Sequence, residues 1–90
     1  MNKETISYGL HVGDIVRPKT NEDAEVIGTT WIGGATTTTE FEIVLVVHAG
    51  EDYHGLIQAM GYVLRRGGKN NYPYVWSANR VVLVRRRTDP

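Results

Sequence analysis

The sequence predicts a mainly β protein, a small antiparallel barrel or rolled sheet of five to six strands with one short helix. Three observations predict it. Thr37–His48 sets Phe41, Ile43, Leu45 and Val47 at a spacing of two, which is strand spacing. Short apolar runs recur along the chain, separated by Gly- and Asn-rich turns. At ninety residues, folding removes only about 60–65% of the extended chain's surface from water, enough for one modest core. Residues 1–90 therefore read as a single domain, with 1–9 and 86–90 as loose termini.

Each element has its own reason. Ile6, Tyr8 and Leu10 alternate and fit an edge strand. In His11–Pro18, Val12 and Val16 point inward, Gly13 permits a turn or bulge, and Pro18 ends the strand by removing a ladder donor. Lys19–Asp23 reads as a polar loop and Ala24–Thr30 as a strand centred on Val26 and Ile27. Gly33-Gly34 turns the chain back into Thr37–His48. That strand starts wet on one face, at Glu40 and Glu42, and becomes apolar on both at Val44 and Val46, so it belongs in the middle of the sheet. Tyr53–Met60 fits a short helix, with Asp52 as N-cap and Gly61 just past its end; Leu56, Ile57 and Met60 share a face. Tyr62–Arg66 is a strand, Gly67–Asn71 a flexible turn, Tyr72–Trp76 an aromatic strand, Ser77–Arg80 a tight or 3₁₀ turn, and Val81–Val84 a last strand.

No cysteine is present, so neither a disulfide framework nor a zinc–thiolate site holds the fold. The first residues lack the apolar run of a signal peptide, and nothing approaches the length of a membrane span. These features suit a soluble cytoplasmic protein. The net charge of zero hides a split. Residues 1–54 hold three basic and nine acidic side chains, a balance of −6; residues 55–90 hold seven basic and one acidic, a balance of +6. Strands from the two halves are expected to pair and neutralise one another, the other reading being a charged partner.

Val12-Gly-Asp-Ile-Val-Arg-Pro, followed by Ala24-Glu-Val-Ile-Gly, resembles the first hairpin of SH3-like barrels. Val75-Trp-Ser-Ala-Asn-Arg-Val-Val-Leu-Val resembles their tight turn and closing strand. The likeness spans a third of the chain, and the Ala49–Gly61 insertion departs from the plainest versions. It implies a binding module that docks peptides, proteins or nucleic acid and seldom performs chemistry. Small standalone domains of this kind also resemble accessory or inhibitor proteins of bacteriophages and mobile elements.

Four groups of residues invite a chemical reading. His48, Glu51, Asp52 and His54 are the ligand types a cysteine-free metal site needs. Their spacing matches no metal motif, and solvated loop residues with Asp52 as a cap account for them more simply. Gly67-Gly-Lys-Asn lacks the spacing of a phosphate-binding loop. The threonines at 36–39 read as a β-prone edge. Arg65, Arg66, Lys69, Tyr72, Tyr74, Trp76 and Arg80 interleave cations with rings, the combination that holds single-stranded nucleic acid. The alternation of Tyr72, Tyr74 and Trp76 puts all three on one face, which is either core or contact surface. Trp31, at a hairpin turn, suits a protein-interface anchor.

With Tyr53, these residues make up the candidate partner-binding set. No catalytic residue, metal ligand or cofactor is assigned. The expectation is a non-catalytic module whose partner is a protein. Single-stranded nucleic acid bound by residues 65–80 is the second reading, and a small metal-dependent enzyme at His48 and His54 the third. No membrane is involved, and the apolar edge Val81–Val84 could pair with a second copy.

Overall fold

The computed structural model describes residues 9–28, 34–66 and 74–87. Along the chain run β1 (Ile15–Pro18), α1 (Asn21–Gly28), β2 (Phe41–Val47), β3 (Asp52–Tyr53), β4 (Leu56–Ile57), β5 (Gly61–Arg65), β6 (Trp76–Ser77), a 3₁₀ turn (Ala78–Arg80) and β7 (Val81–Arg85). Five strands make one antiparallel sheet in the order β6-β5-β2-β1-β7, and β3 pairs with β4 in a separate hairpin. The sheet is not closed into a barrel. As its composition predicts, β2 is the middle strand, flanked by β1 and β5.

The apolar face of β2 is not the simple alternation expected. A bulge shifts the register between Ile43 and Leu45, because Ile43 faces Leu64 while Leu45 faces Val63. An extra residue in one strand reverses which side the following side chains take. Phe41 and Ile43 are buried, Leu45 is exposed, and Val46 turns back against the core. The strand that is dry on both faces is β5, where Gly61 through Leu64 are all buried. Tyr62 and Leu64 join the main core with Val16, Phe41, Ile43 and Trp76. Val63 points the other way by strand alternation.

Where a strand was expected over 24–30, α1 occupies 21–28. Thr20 is the reason. Its hydroxyl oxygen accepts the Asp23 N–H at 3.1 Å and donates to the Asp23 carboxylate at 2.9 Å, a capping arrangement at the helix start. Glu22 and Asp23 in the first turn also suit the helix dipole. Ala24 and Ile27, three apart, are buried. Eight residues are too few to stay helical alone, and that burial supplies the rest. The part of the barrel resemblance that needs a strand at Ala24–Gly28 is therefore not met.

The helix expected over 53–60 is instead the β3–β4 hairpin. His54 and Gly55 both have positive φ, 55° and 85°, the combination a two-residue type I′ turn requires. Asp52, expected as a helix cap, accepts the Gly55 N–H at 2.8 Å and caps this turn. The threonines of 36–39 also form a turn, in which Thr36 O accepts the Thr39 N–H. The 3₁₀ turn and β7 fall where they were expected. Trp31, Lys69 and Tyr72, with the proposed edge strand at Ile6 and Tyr8 and the turns at Gly33 and Gly67–Asn71, lie outside the described residues.

Candidate partner-binding surface

The described residues of the basic-aromatic segment do not form one surface. Arg65 sits opposite Glu42 across β5 and β2 and bonds its carboxylate at 2.6 Å. Arg80 bonds Asp23 at 2.9 Å, joining the 3₁₀ turn to α1. Both cations are engaged with the protein's own acids. Trp76 is buried in the core, so its ring is not presented to a partner. Tyr74, two residues earlier, is 45% exposed, so these two rings do not share one environment. Arg66 is half-buried beside the end of β5.

Four ion pairs occur among the described residues: Glu42–Arg65, Asp23–Arg80, Glu40–Arg85 and Asp14–Arg86. Each joins an acid of the first half to an arginine of the second, the mutual neutralisation expected from the charge split. The acid most withdrawn from water is Asp14, which is buried. Its carboxylate accepts the His11 N–H at 2.9 Å, the Arg87 N–H at 2.9 Å and an Arg86 guanidinium N–H at 3.1 Å. Burial pushes this carboxyl's pKa up. The backbone N–H groups of Arg87 and His11, with the charges of Arg86 and His11, outweigh that and hold it below the usual value. Arg86 also donates to Gly9 O at 2.7 Å, so residues 86 and 87 are anchored and not part of a loose tail.

Two predicted contact residues do come together. Tyr53 and Tyr74 line an open hollow of about 350 Å³ with His54, Leu56, Gln58 and Val75. The hairpin provides one wall and the approach to β6 the other. Gly61 helps to set that approach, since a Cβ there would run into Trp76 O and the Val75 side chain. The Tyr53 and His54 rings meet edge to face at 4.4 Å. Leu56 and Ile57 are 67% and 72% exposed, the most open of the large apolar side chains described. Sequence spacing predicts both, with Met60, on one face of a short helix. The His54-Gly55 pair directly ahead of Leu56 and Ile57 was the turn signal that could have located them in a hairpin.

A second hollow of about 380 Å³ lies between Leu10, His11, Val12, Val46, His48 and Met60. The candidate metal ligands work locally instead: Glu51 accepts the His48 N–H at 2.7 Å and Asp52 caps its turn. Among the described residues no three His, Asp or Glu side chains form a group that could hold a metal ion. No described helix is long and apolar enough to cross a membrane.

Fold and surface together define a small mainly-β domain with a separate hairpin that exposes two apolar side chains. Comparison with protein-family models, curated proteins and solved structures finds no match to this chain.

Proposed function

We propose that this protein is a non-catalytic binding module of the cytoplasm that docks a protein partner in the hollow between Tyr53 and Tyr74. The observation that carries the reading is the exposure of Leu56, on β4 of the hairpin, beside two tyrosines in the hollow, with Ile57 exposed next to it in the chain. Exposed apolar side chains clustered with aromatic rings are costly in water and typical of interface centres. The hollow is open to solvent, which suits an inserted apolar or aromatic side chain better than an enclosed substrate. From His48 to Met60 the chain holds two carboxylates and no lysine or arginine, which favours a partner with cations around its apolar anchor.

The SH3-like reading draws support from the 3₁₀ turn Ala78–Arg80, which leads into a last strand that pairs with the first. An accessory or inhibitor role of the kind found in bacteriophages and mobile elements is consistent with such a module. The nucleic-acid reading loses Arg65 and Arg80 to internal ion pairs and Trp76 to the core.

The test is affinity capture with wild-type and Leu56→Asp baits, with melting temperature as the folding control. The expected result is a protein retained by the wild type and lost by the variant at unchanged melting temperature. Equal capture by both baits, or capture of nothing by either, rejects the hollow as the docking site.

A further inference from the structure

β7 ends the sheet, and no described strand pairs with its outer side. The direction of its backbone groups follows from one bond. The Lys19 N–H donates to Arg80 O at 2.9 Å, which makes Lys19–Arg80 a bonded pair. Antiparallel alternation then makes Arg17–Val82 the next bonded pair and leaves Pro18–Val81 and Val16–Leu83 non-bonded. Pro18, which has no N–H to give, fits that phase. The N–H and C=O of Val81 and Leu83 therefore point outward, away from β1.

The side chains say what this edge would accept. Arg80 to Arg87 reads Arg-Val-Val-Leu-Val-Arg-Arg-Arg, four cations and no acid. Val81–Val84 carries neither the proline nor the charge that usually blunts an open edge, and Leu83 and Val84 are exposed. Arg85 and Arg86 pair with Glu40 and Asp14, yet 60% and 55% of their side chains remain in solvent. A guanidinium has five N–H donors, so each can bind a further carboxylate.

We propose that the outer edge of β7 accepts an extended, acidic segment of a protein partner as a sixth strand of the sheet. Backbone pairing at Val81 and Leu83 supplies the docking bonds, and carboxylates set against Arg85–Arg87 supply selectivity. A second copy of this chain fits less well. Antiparallel pairing of two β7 strands about Leu83 sets Arg86 opposite the copy's Arg80, and like charges directly opposite destabilise a sheet. An acidic strand turns the same charges into attraction. The edge and the Tyr53–Tyr74 hollow are separate surfaces, so Leu56→Asp leaves this one intact.

The experiment follows amide exchange by NMR in the full chain, with a synthetic peptide of alternating threonine and valine ending in glutamates as the probe. The glutamate peptide should slow exchange of the Leu83 amide by about tenfold or more, with an affinity that falls as salt rises. Leu83→Pro removes this outward N–H without taking a bond from β1 and should abolish binding. Arg87→Gln keeps the ladder and should weaken it by about threefold. Free exchange of the Leu83 amide at saturating peptide overturns the proposal. So does equal protection by a lysine-ended peptide, and so does protection that rises with protein concentration alone, which would assign the edge to a second copy.

Discussion

The Asp14 junction and the β3–β4 hairpin treat polarity in opposite ways. At Asp14 a charged group is buried, and its carboxylate accepts three hydrogen bonds from residues at both ends of the described chain. At the hairpin, Leu56 and Ile57 stand in water, Leu56 beside two tyrosines. Burying a charge costs several kcal/mol unless it is fully bonded, and exposing an apolar side chain forgoes about 1.5–3 kcal/mol of burial. Here charge serves cohesion while apolar surface is left for contact. The contrast teaches that a count of arginines near rings does not locate a binding face; what matters is which groups the fold has already satisfied.

Four measurements sharpen that contrast. The largest effect is expected for Asp14→Ala, which strips the acceptor from two backbone N–H groups and the counter-charge from Arg86. Unfolding free energy should fall by about 3 kcal/mol, and the melting temperature by roughly 12–24 °C. A loss below about 0.5 kcal/mol would show that the junction does not hold the fold.

The same carboxyl gives a pH signature. Its folded pKa lies below its ordinary value of 3.8, so the folded state favours the ionised form. The stabilisation is complete above the ordinary value and disappears as pH falls through the lowered one. Acid titration of stability should therefore show a limb below pH 3.8 that Asp14→Asn lacks. Identical acid limbs in the two proteins would remove Asp14 from the account.

The ion pair on the sheet surface should matter less. Glu42→Ala removes a half-exposed cross-strand contact and should cost about 0.5 kcal/mol, shrinking further in high salt. At the hairpin, His54→Asn replaces a residue held at positive φ by one better suited to that turn. Stability should rise by up to about 0.5 kcal/mol, while partner capture weakens because the ring against Tyr53 is lost. Capture at wild-type strength would remove His54 from the contact surface.

Much of the sheet was legible because its strands are written locally. Phe41–Val47, Tyr62–Leu64 and Val81–Val84 are β-branched or aromatic runs bounded by turn residues, and each is a strand in the structure. The misread elements are those where two local signals compete. Val26 and Ile27 favour a strand, but the Thr20–Asp23 cap commits the backbone to a helix before they are reached. Leu56, Ile57 and Met60 have helical spacing, but His54-Gly55 has already turned the chain. The site was harder still. Arg65 meets Glu42 and Arg80 meets Asp23 across 23 and 57 positions of sequence, so their engagement is invisible until the sheet order is known. The nearness of Tyr53 to Tyr74 depends on that order as well.

The stitching of Gly9 and Asp14 to Arg86 and Arg87 has a consequence for how the chain matures. β1 meets its outer neighbour only when β7 arrives, so that flank of the sheet stays bare during synthesis while the middle strands assemble. Closure then comes as one late step. Removing the residues after Arg80, and with them all of β7, should yield a chain that keeps the β2–β5 pairing yet remains prone to clump through the uncovered side of β1.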